Sequence, residues 1–184
     1  IQAAQLEIPN MVANSAMVVT SDVVDDVNNI HPKDKLTVAH RFANIAISET
    51  YGRKMDQNKL FCPYSVDAYK MDKGVFLSFK NAKDLRSTTK KIEGFEVVGD
   101  NGVWYPAKAT IVKNEETGTY NRVNLYCSKV KEPKMVSYAW SNTALPSLRN
   151  EYDLPASCFI IDEVRNGEDV YREDVYTPML HGEE

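Results

Sequence analysis

The sequence predicts a mixed fold in which the closing part of an α/β sheet precedes an antiparallel β-sandwich. Residues 16–20, AMVVT, form a short β-branched apolar run that is typical of a buried strand. Residues 33–51 carry apolar side chains at helical spacing. From about Leu60 onward, short alternating runs are separated by turn signals. We therefore expect a strand-loop-helix unit in residues 1–56 and a sandwich domain in residues 57–184.

The first unit is expected to begin with the end of a helix. The opening residues, IQAAQLEIPNM, contain neither an initiator methionine nor an N-cap residue, which indicates a fragment of a longer protein. In the second helix, Pro32 suits the first turn and Gly52 suits the left-handed position after the last turn. Five residues predict one apolar stripe on this helix: Leu36, Ala39, Phe42, Ala43 and Ala46.

The second unit consists of predicted strands. VDAYKMDKGVFLSFK reads as two strands joined at residues 72–74, and a DNG turn at residues 100–102 separates two more runs. The segments NRVNLYCSKV, KMVSYAWS and SCFIIDEV continue the series, and this spacing is typical of an antiparallel sandwich. The acidic end of the chain, which includes His181, is expected to be an extended arm.

Composition limits the classes of function. The 184 residues are 43% hydrophobic and carry a net charge of −4, which argues against nucleic-acid or anionic-membrane partners. Three widely spaced cysteines, Cys62, Cys127 and Cys158, form neither a disulfide framework nor a metal motif. We predict no metal and no cofactor.

One histidine and three carboxylates fall beyond the predicted strand, where open α/β sheets gather their functional groups. They are His31, Asp22, Asp25 and Asp26. A helix N-terminus beside His31 would disfavour the imidazolium and keep the ring able to accept a proton. One of the carboxylates could then orient the ring, giving the base and acid of a hydrolase without its nucleophile. The alternative is an ordinary solvated loop.

Residues 14–54, NSAMVVTSDVVDDVNNIHPKDKLTVAHRFANIAISETYGRK, are similar to the last conserved block of the sialate O-acetylesterase family. These are SGNH-type carbohydrate esterases. The segments EGFEVVGDNGVWYPAKATIV, VNLYCSKVKEPKMVSYAWSN and YDLPASCFIIDE resemble the family's C-terminal β domain, so that the likeness continues to about Glu163.

This resemblance implies hydrolysis of O-acetyl esters of sialic acids by a serine–histidine mechanism. His31 matches the histidine of the family's IHP motif and would be the base. The position of the usual triad acid holds Asn28, so the orienting acid stays open among Asp22, Asp25 and Asp26. No serine has a nucleophile setting here; the resemblance places that serine upstream and predicts that this chain alone is inactive. It also implies a secreted or periplasmic bacterial protein.

Two other classes of function remain open. The sandwich could be a carbohydrate-binding or purely structural module, or the esterase could act on other acetylated sugars such as acetyl-xylan. Four aromatic residues could stack on a sugar, although their alternation favours core packing: Trp104, Tyr105, Tyr138 and Trp140.

Overall fold

The computed structural model describes residues 2–29, 31–71 and 74–167. The helical part comes first. It consists of α1 (Gln2–Met11), a 3₁₀ turn (Ser21–Val23), α2 (Lys35–Ile45), a π-helical turn (Ala46–Thr50) and α3 (Gln57–Leu60).

Eleven strands follow in the described part of the chain. They are β1 (Tyr64–Met71), β2 (Gly74–Lys80), β3 (Arg86–Ser87), β4 (Phe95–Val98), β5 (Trp104–Pro106), β6 (Lys108–Val112), β7 (Arg122–Tyr126), β8 (Met135–Tyr138), β9 (Leu148–Arg149), β10 (Phe159–Ile161) and β11 (Arg165–Asn166). The five-stranded sheet has the order β11-β1-β2-β7-β6, the four-stranded sheet has the order β10-β8-β4-β5, and β3 pairs with β9. Every named pair is antiparallel except β1 with β11.

The two larger sheets share one hydrophobic core. The strand β2 alternates buried and half-buried residues, and its buried side chains belong to the same cluster as those of β4 and β8. Phe79 of the first sheet meets Phe159 of the second edge to face, with ring centroids 5.9 Å apart. This arrangement confirms the prediction of a sheet-rich, mostly antiparallel second unit.

Two glycines explain why the predicted turns form where they do. A Cβ on Gly74, at the start of β2, would lie 2.0 Å from the carbonyl oxygen of Leu125, so only glycine fits there. Gly102 of the DNG turn has a φ of +68°, and its N–H donates to the carbonyl of Gly99. The turn signals in the sequence therefore located both connections correctly.

The strand predicted at residues 16–20 is not formed. This run has no regular secondary structure, and within the described residues no strand pairs with it. A strand needs a neighbour to satisfy its backbone N–H and C=O groups, and an apolar run alone does not supply one. The predicted helix at the start of the chain is confirmed as α1.

The second helix begins later than expected. Asp34 is its N-cap, and the carboxylate accepts the N–H of Thr37 at 2.9 Å. Pro32 therefore lies before the helix and not in its first turn. Gly52, with a φ of +72°, takes the left-handed position predicted for it.

The predicted apolar stripe of α2 faces outward. Leu36 is 65% exposed and Phe42 is 50% exposed, whereas Arg41 and Ile45 are buried. Helical periodicity identified the residues that share a face, but within this chain the opposite face is the one that packs. The predicted acidic arm beyond residue 167, with His181, lies outside the described residues.

Candidate functional site

His31 is an exposed residue on the loop that leads from the 3₁₀ turn to α2. Its backbone N–H donates to the side-chain oxygen of Asn29 at 2.9 Å. In the same loop, a carboxylate oxygen of Asp26 accepts the backbone N–H of Asn28 at 2.9 Å. These local contacts set the loop backbone and leave the imidazole facing outward.

His31 lies outside the helix whose N-terminus was expected beside it. Because α2 begins at Lys35, the histidine lies ahead of the N-cap, and the dipole acts mainly within the first turn. Within residues 2–29, 31–71 and 74–167, no hydrogen bond or ion pair joins the imidazole to Asp22, Asp25 or Asp26. The catalytic roles of these four residues stay predictions.

Asp25 has a different partner. Its carboxylate lies 3.0 Å from the ammonium of Lys33, and both side chains are exposed. The hydrogen bond with Lys33 holds the pKa of Asp25 below its ordinary value. A surface pair of this kind contributes little to stability, because water screens the charges.

Asp22 is held far more firmly. Its two carboxylate oxygens accept hydrogen bonds from the two terminal nitrogens of Arg41, at 2.7 and 2.6 Å. The same guanidinium donates to the carbonyl of Val19 at 2.6 Å. Arg41 therefore ties α2 to the segment before the 3₁₀ turn.

A second arginine reaches Asp22 from the β domain. Nη1 of Arg149, on β9, lies 2.8 Å from Oδ2 of Asp22. The contact is an ion pair without a hydrogen bond, because Nη1 and Nε of Arg149 are buried atoms with no hydrogen-bond partner among the described residues. Asp22, Arg41 and Arg149 form what we call the junction cluster, and their side chains are 11%, 8% and 13% exposed.

The charges within the junction cluster determine the protonation state of Asp22. Burial works to raise the pKa of Asp22, but the hydrogen bond and charge of Arg41 and the charge of Arg149 outweigh it and lower that pKa. The hydrogen bond with Asp22 raises the pKa of Arg41 in turn. Asp22 and Arg41 are therefore ionised at neutral pH. Arg149 could not be found from the sequence, because no local pattern links an arginine in a short strand to a carboxylate so far away in the chain.

Cys62 lies beside this cluster but is not a nucleophile at neutral pH. Burial raises the pKa of the thiol to about 11, while a hydrogen bond with the backbone of Val19 and the charge of Arg41 act in the opposite direction. A neutral buried thiol is unreactive. No disulfide joins any of the three cysteines, all of which are among the described residues.

A groove of about 420 Å³ separates the first segments of the chain from the β domain. Asn29 and Pro32, on either side of His31, line one wall, and Ser141 and Asn142 line the other. His31 itself does not line it.

Trp140, in the loop after β8, is 40% exposed, whereas Tyr138 is fully buried and its hydroxyl accepts the N–H of Leu148. Of Tyr138 and Trp140, therefore, Tyr138 alone packs in the core as the alternation of the strand predicted.

The described residues show no metal-binding cluster and no membrane-spanning helix. They contain no group of three or more histidine, cysteine and acidic residues placed to hold a metal ion. None of their helices combines the length and apolar character that a membrane span requires.

Comparison with solved structures shows a similarity to a carbohydrate esterase. No family model and no curated protein matches the chain. The structure is similar to the crystal structure of a carbohydrate acetylesterase from Xanthomonas citri, with a TM-score of 0.67 and 29% sequence identity. The match covers 79% of this chain and 32% of that enzyme, so the chain spans about a third of its length. The similarity supports a relationship with the carbohydrate esterases.

Proposed function

We propose that this chain is the C-terminal portion of an esterase that removes O-acetyl groups from sialic acids, and that it is exported from a bacterial cell. The similarity to a carbohydrate acetylesterase, over most of the chain, is the observation that carries the proposal. The finer assignment to sialate esters rests on the resemblance of residues 14–54 and of the β domain to that family.

In this proposal His31 is the general base. Its imidazole takes the proton from a serine hydroxyl supplied by a preceding part of the protein, and the serine oxygen attacks the acetyl carbonyl. The protonated ring then gives the proton to the departing sugar oxygen. Water, activated in the same way, hydrolyses the acetyl-serine and releases acetate. The exposed position of His31 leaves its ring available to such a partner.

The orienting acid is Asp25 or Asp26 more readily than Asp22. Both oxygens of Asp22 already accept hydrogen bonds from Arg41. Asp25 is held only by an exposed lysine, and Asp26 contacts loop residues through one oxygen. Either of these two could therefore turn to the imidazole without breaking a buried pair.

An outward apolar face supports the presence of a preceding segment. We use the name outward face for Ile8 of α1 and Phe42 of α2, which are exposed and line the same small pocket. Monomeric proteins seldom expose apolar patches of this kind without a partner. Since the chain spans 32% of the similar esterase, we propose that the preceding part of the same protein, which carries the serine, packs on this face.

This arrangement predicts a context-dependent effect of Phe42→Ser. In the 184-residue chain the ring is half exposed, so we expect the melting temperature to stay within about 2 °C of the wild-type value. In the complete gene product the ring would be buried, and the melting temperature should fall by more than about 5 °C. Thermal denaturation of both forms makes the comparison.

The matched control is Ile45→Ser. Ile45 lies on the same helix but is buried within this chain, so its replacement should lower the melting temperature in both forms. Equal, small effects of Phe42→Ser in both forms would contradict the proposed packing.

Substrate specificity is tested with the complete gene product. We expect acetate release from 9-O-acetylated sialic acid to proceed with a kcat/KM at least about tenfold above that for acetyl-xylan, a difference of about 1.4 kcal/mol in transition-state binding. Acetate is measured by a coupled enzymatic assay. A preference for acetyl-xylan would retain the esterase and reject the sialate assignment, and no hydrolysis of either would reject both. Cell fractionation tests the proposed export separately.

A further inference from the structure

We propose that Arg149 is a positioning residue of this esterase, a β-domain side chain that holds the His31 loop in place through Asp22. The inference rests on the proposed function and deepens it, because it gives the β domain a part in the reaction. Arg149 would not touch the substrate or the reacting atoms.

Asp22 and His31 are connected through a short stretch of the chain. Asp22 belongs to the 3₁₀ turn Ser21–Val23, and the loop that carries His31 leaves directly from that turn. Among the described residues of the loop, the hydrogen bonds are local and the ion pair of Asp25 with Lys33 lies on the surface. The firm attachments of the loop are therefore at its two ends: the carboxylate of Asp22 before it and the capped start of α2 after it.

The backbone around Arg149 is held firmly within the β domain. Arg149 pairs with Arg86 across β3 and β9 and forms a bridge with Pro155. The next residue, Asn150, is fully buried, and its amide donates to the carbonyls of Asn58 and Asn81 at 2.6 and 3.0 Å. The backbone that carries Arg149 is thus held to the β-domain core.

The ion pair between Arg149 and Asp22 is shielded from solvent. The Arg149–Asp22 contact joins two side chains that are less than one-seventh exposed, so solvent and salt screen their attraction weakly. Nε of Arg149 also lies 3.9 Å from Oδ1 of the exposed Asp153, a longer contact that solvent screens more, so Asp22 is the nearer and better shielded of its two carboxylate partners. The ion pair is therefore a strong restraint on the 3₁₀ turn.

Loss of this restraint should affect the reaction more than the binding of substrate. A displacement of about 1 Å in a catalytic group costs on the order of 10²-fold in rate. Without Arg149, Arg41 would still hold Asp22 by two hydrogen bonds, so we expect the fold to survive. The start of the loop, at Asp22, would then be held by one arginine in place of two.

The experiment uses the complete gene product with Arg149→Met, Arg149→Lys and the control Arg86→Met. Arg86 lies opposite Arg149 in the two-stranded sheet and is 50% exposed; it pairs with Asp153 at 2.7 Å, a carboxylate that Arg149 approaches only to 3.9 Å, and it has no described contact with Asp22. We expect Arg149→Met to lower kcat by about 10- to 100-fold with KM within about twofold of the wild-type value. Arg149→Lys keeps the charge and should recover part of the loss, and Arg86→Met should leave kcat unchanged.

A spectroscopic measurement separates positioning from a merely structural role. The imidazole Cε1–H resonance of His31, assigned by its absence in His31→Gln, should shift in Arg149→Met and stay in place in Arg86→Met. If Arg149→Met does not fold, Arg149→Lys decides the question: a lower kcat with a shifted resonance supports the proposal, and wild-type values of both overturn it.

Two failures are distinguishable. A wild-type protein that releases no acetate, or whose activity survives loss of His31, defeats the proposed function. A wild-type protein with His31-dependent activity that is unchanged in folded Arg149→Met defeats only the positioning role. A matching fall in melting temperature in Arg149→Met and Arg86→Met, with no change in kcat, would also overturn it.

Discussion

Replacing His31 by glutamine in the complete gene product is expected to lower kcat for acetyl-ester hydrolysis by about 10²- to 10⁴-fold. Glutamine keeps a polar side chain of similar reach but cannot take the serine proton and return it to the sugar oxygen. The expected loss corresponds to about 3–5 kcal/mol of transition-state stabilisation. Release of acetate under saturating substrate measures it.

Stability should not change in the same variant. The side chain of His31 is exposed, and the contact that the structure shows for this residue uses its backbone N–H. We therefore expect the melting temperature of His31→Gln to equal that of the wild type within about 2 °C. This result would assign the loss of rate to chemistry.

His40→Gln is the matched control for this experiment. His40 is also exposed and lies on α2, away from the loop. Its replacement should leave kcat within about twofold of the wild-type value. Comparable activity of His31→Gln and His40→Gln would remove His31 from the mechanism and leave the similarity to an esterase without a base in this chain.

The fold could be predicted from the sequence where the signal is local. The hairpin of β1 and β2 and the DNG connection follow from alternation and from glycines that only their turns require. The run at residues 16–20 shows the limit of such arguments, because a strand also depends on a neighbour that the run does not specify. Likewise, periodicity grouped Leu36 with Phe42 but could not say what covers them.

The candidate site, like the fold, could be predicted from the sequence only where the signal is local. The exposed loop position of His31 agrees with the pattern around it, and Asp34, three residues later, ends the loop with an ordinary helix cap. The junction cluster was not predictable, because the contact between Arg149 and Asp22 depends on how β9 is placed against the 3₁₀ turn. Three-dimensional packing alone brings these two charges together.

Replacing Asp22 by asparagine is expected to lower the free energy of unfolding of this chain by about 3–5 kcal/mol. The carboxylate is the group that compensates two buried guanidinium groups, those of Arg41 and Arg149. Asparagine is nearly isosteric but neutral, so both cations would remain buried and would repel each other. Urea denaturation at pH 7 measures the loss.

Asp25→Asn is the control for this charge removal, since Asp25 pairs with Lys33 on the surface and should show no measurable change in stability. A double variant, Asp22→Asn with Arg149→Met, should lose less stability than the sum of the two single variants, because one of the repelling cations is gone. Additive losses would show that the Arg149–Asp22 contact contributes nothing.

The pH dependence of this effect has a defined sign. The folded-state pKa of Asp22 lies below its ordinary value of 3.8, so its contribution is fully present above that value and disappears as the pH falls through the folded-state pKa. The stability difference between wild type and Asp22→Asn should therefore be constant between about pH 5 and 7 and should narrow below about pH 4. A difference that persists unchanged in acid would mean that the amide substitution disturbs packing and not charge.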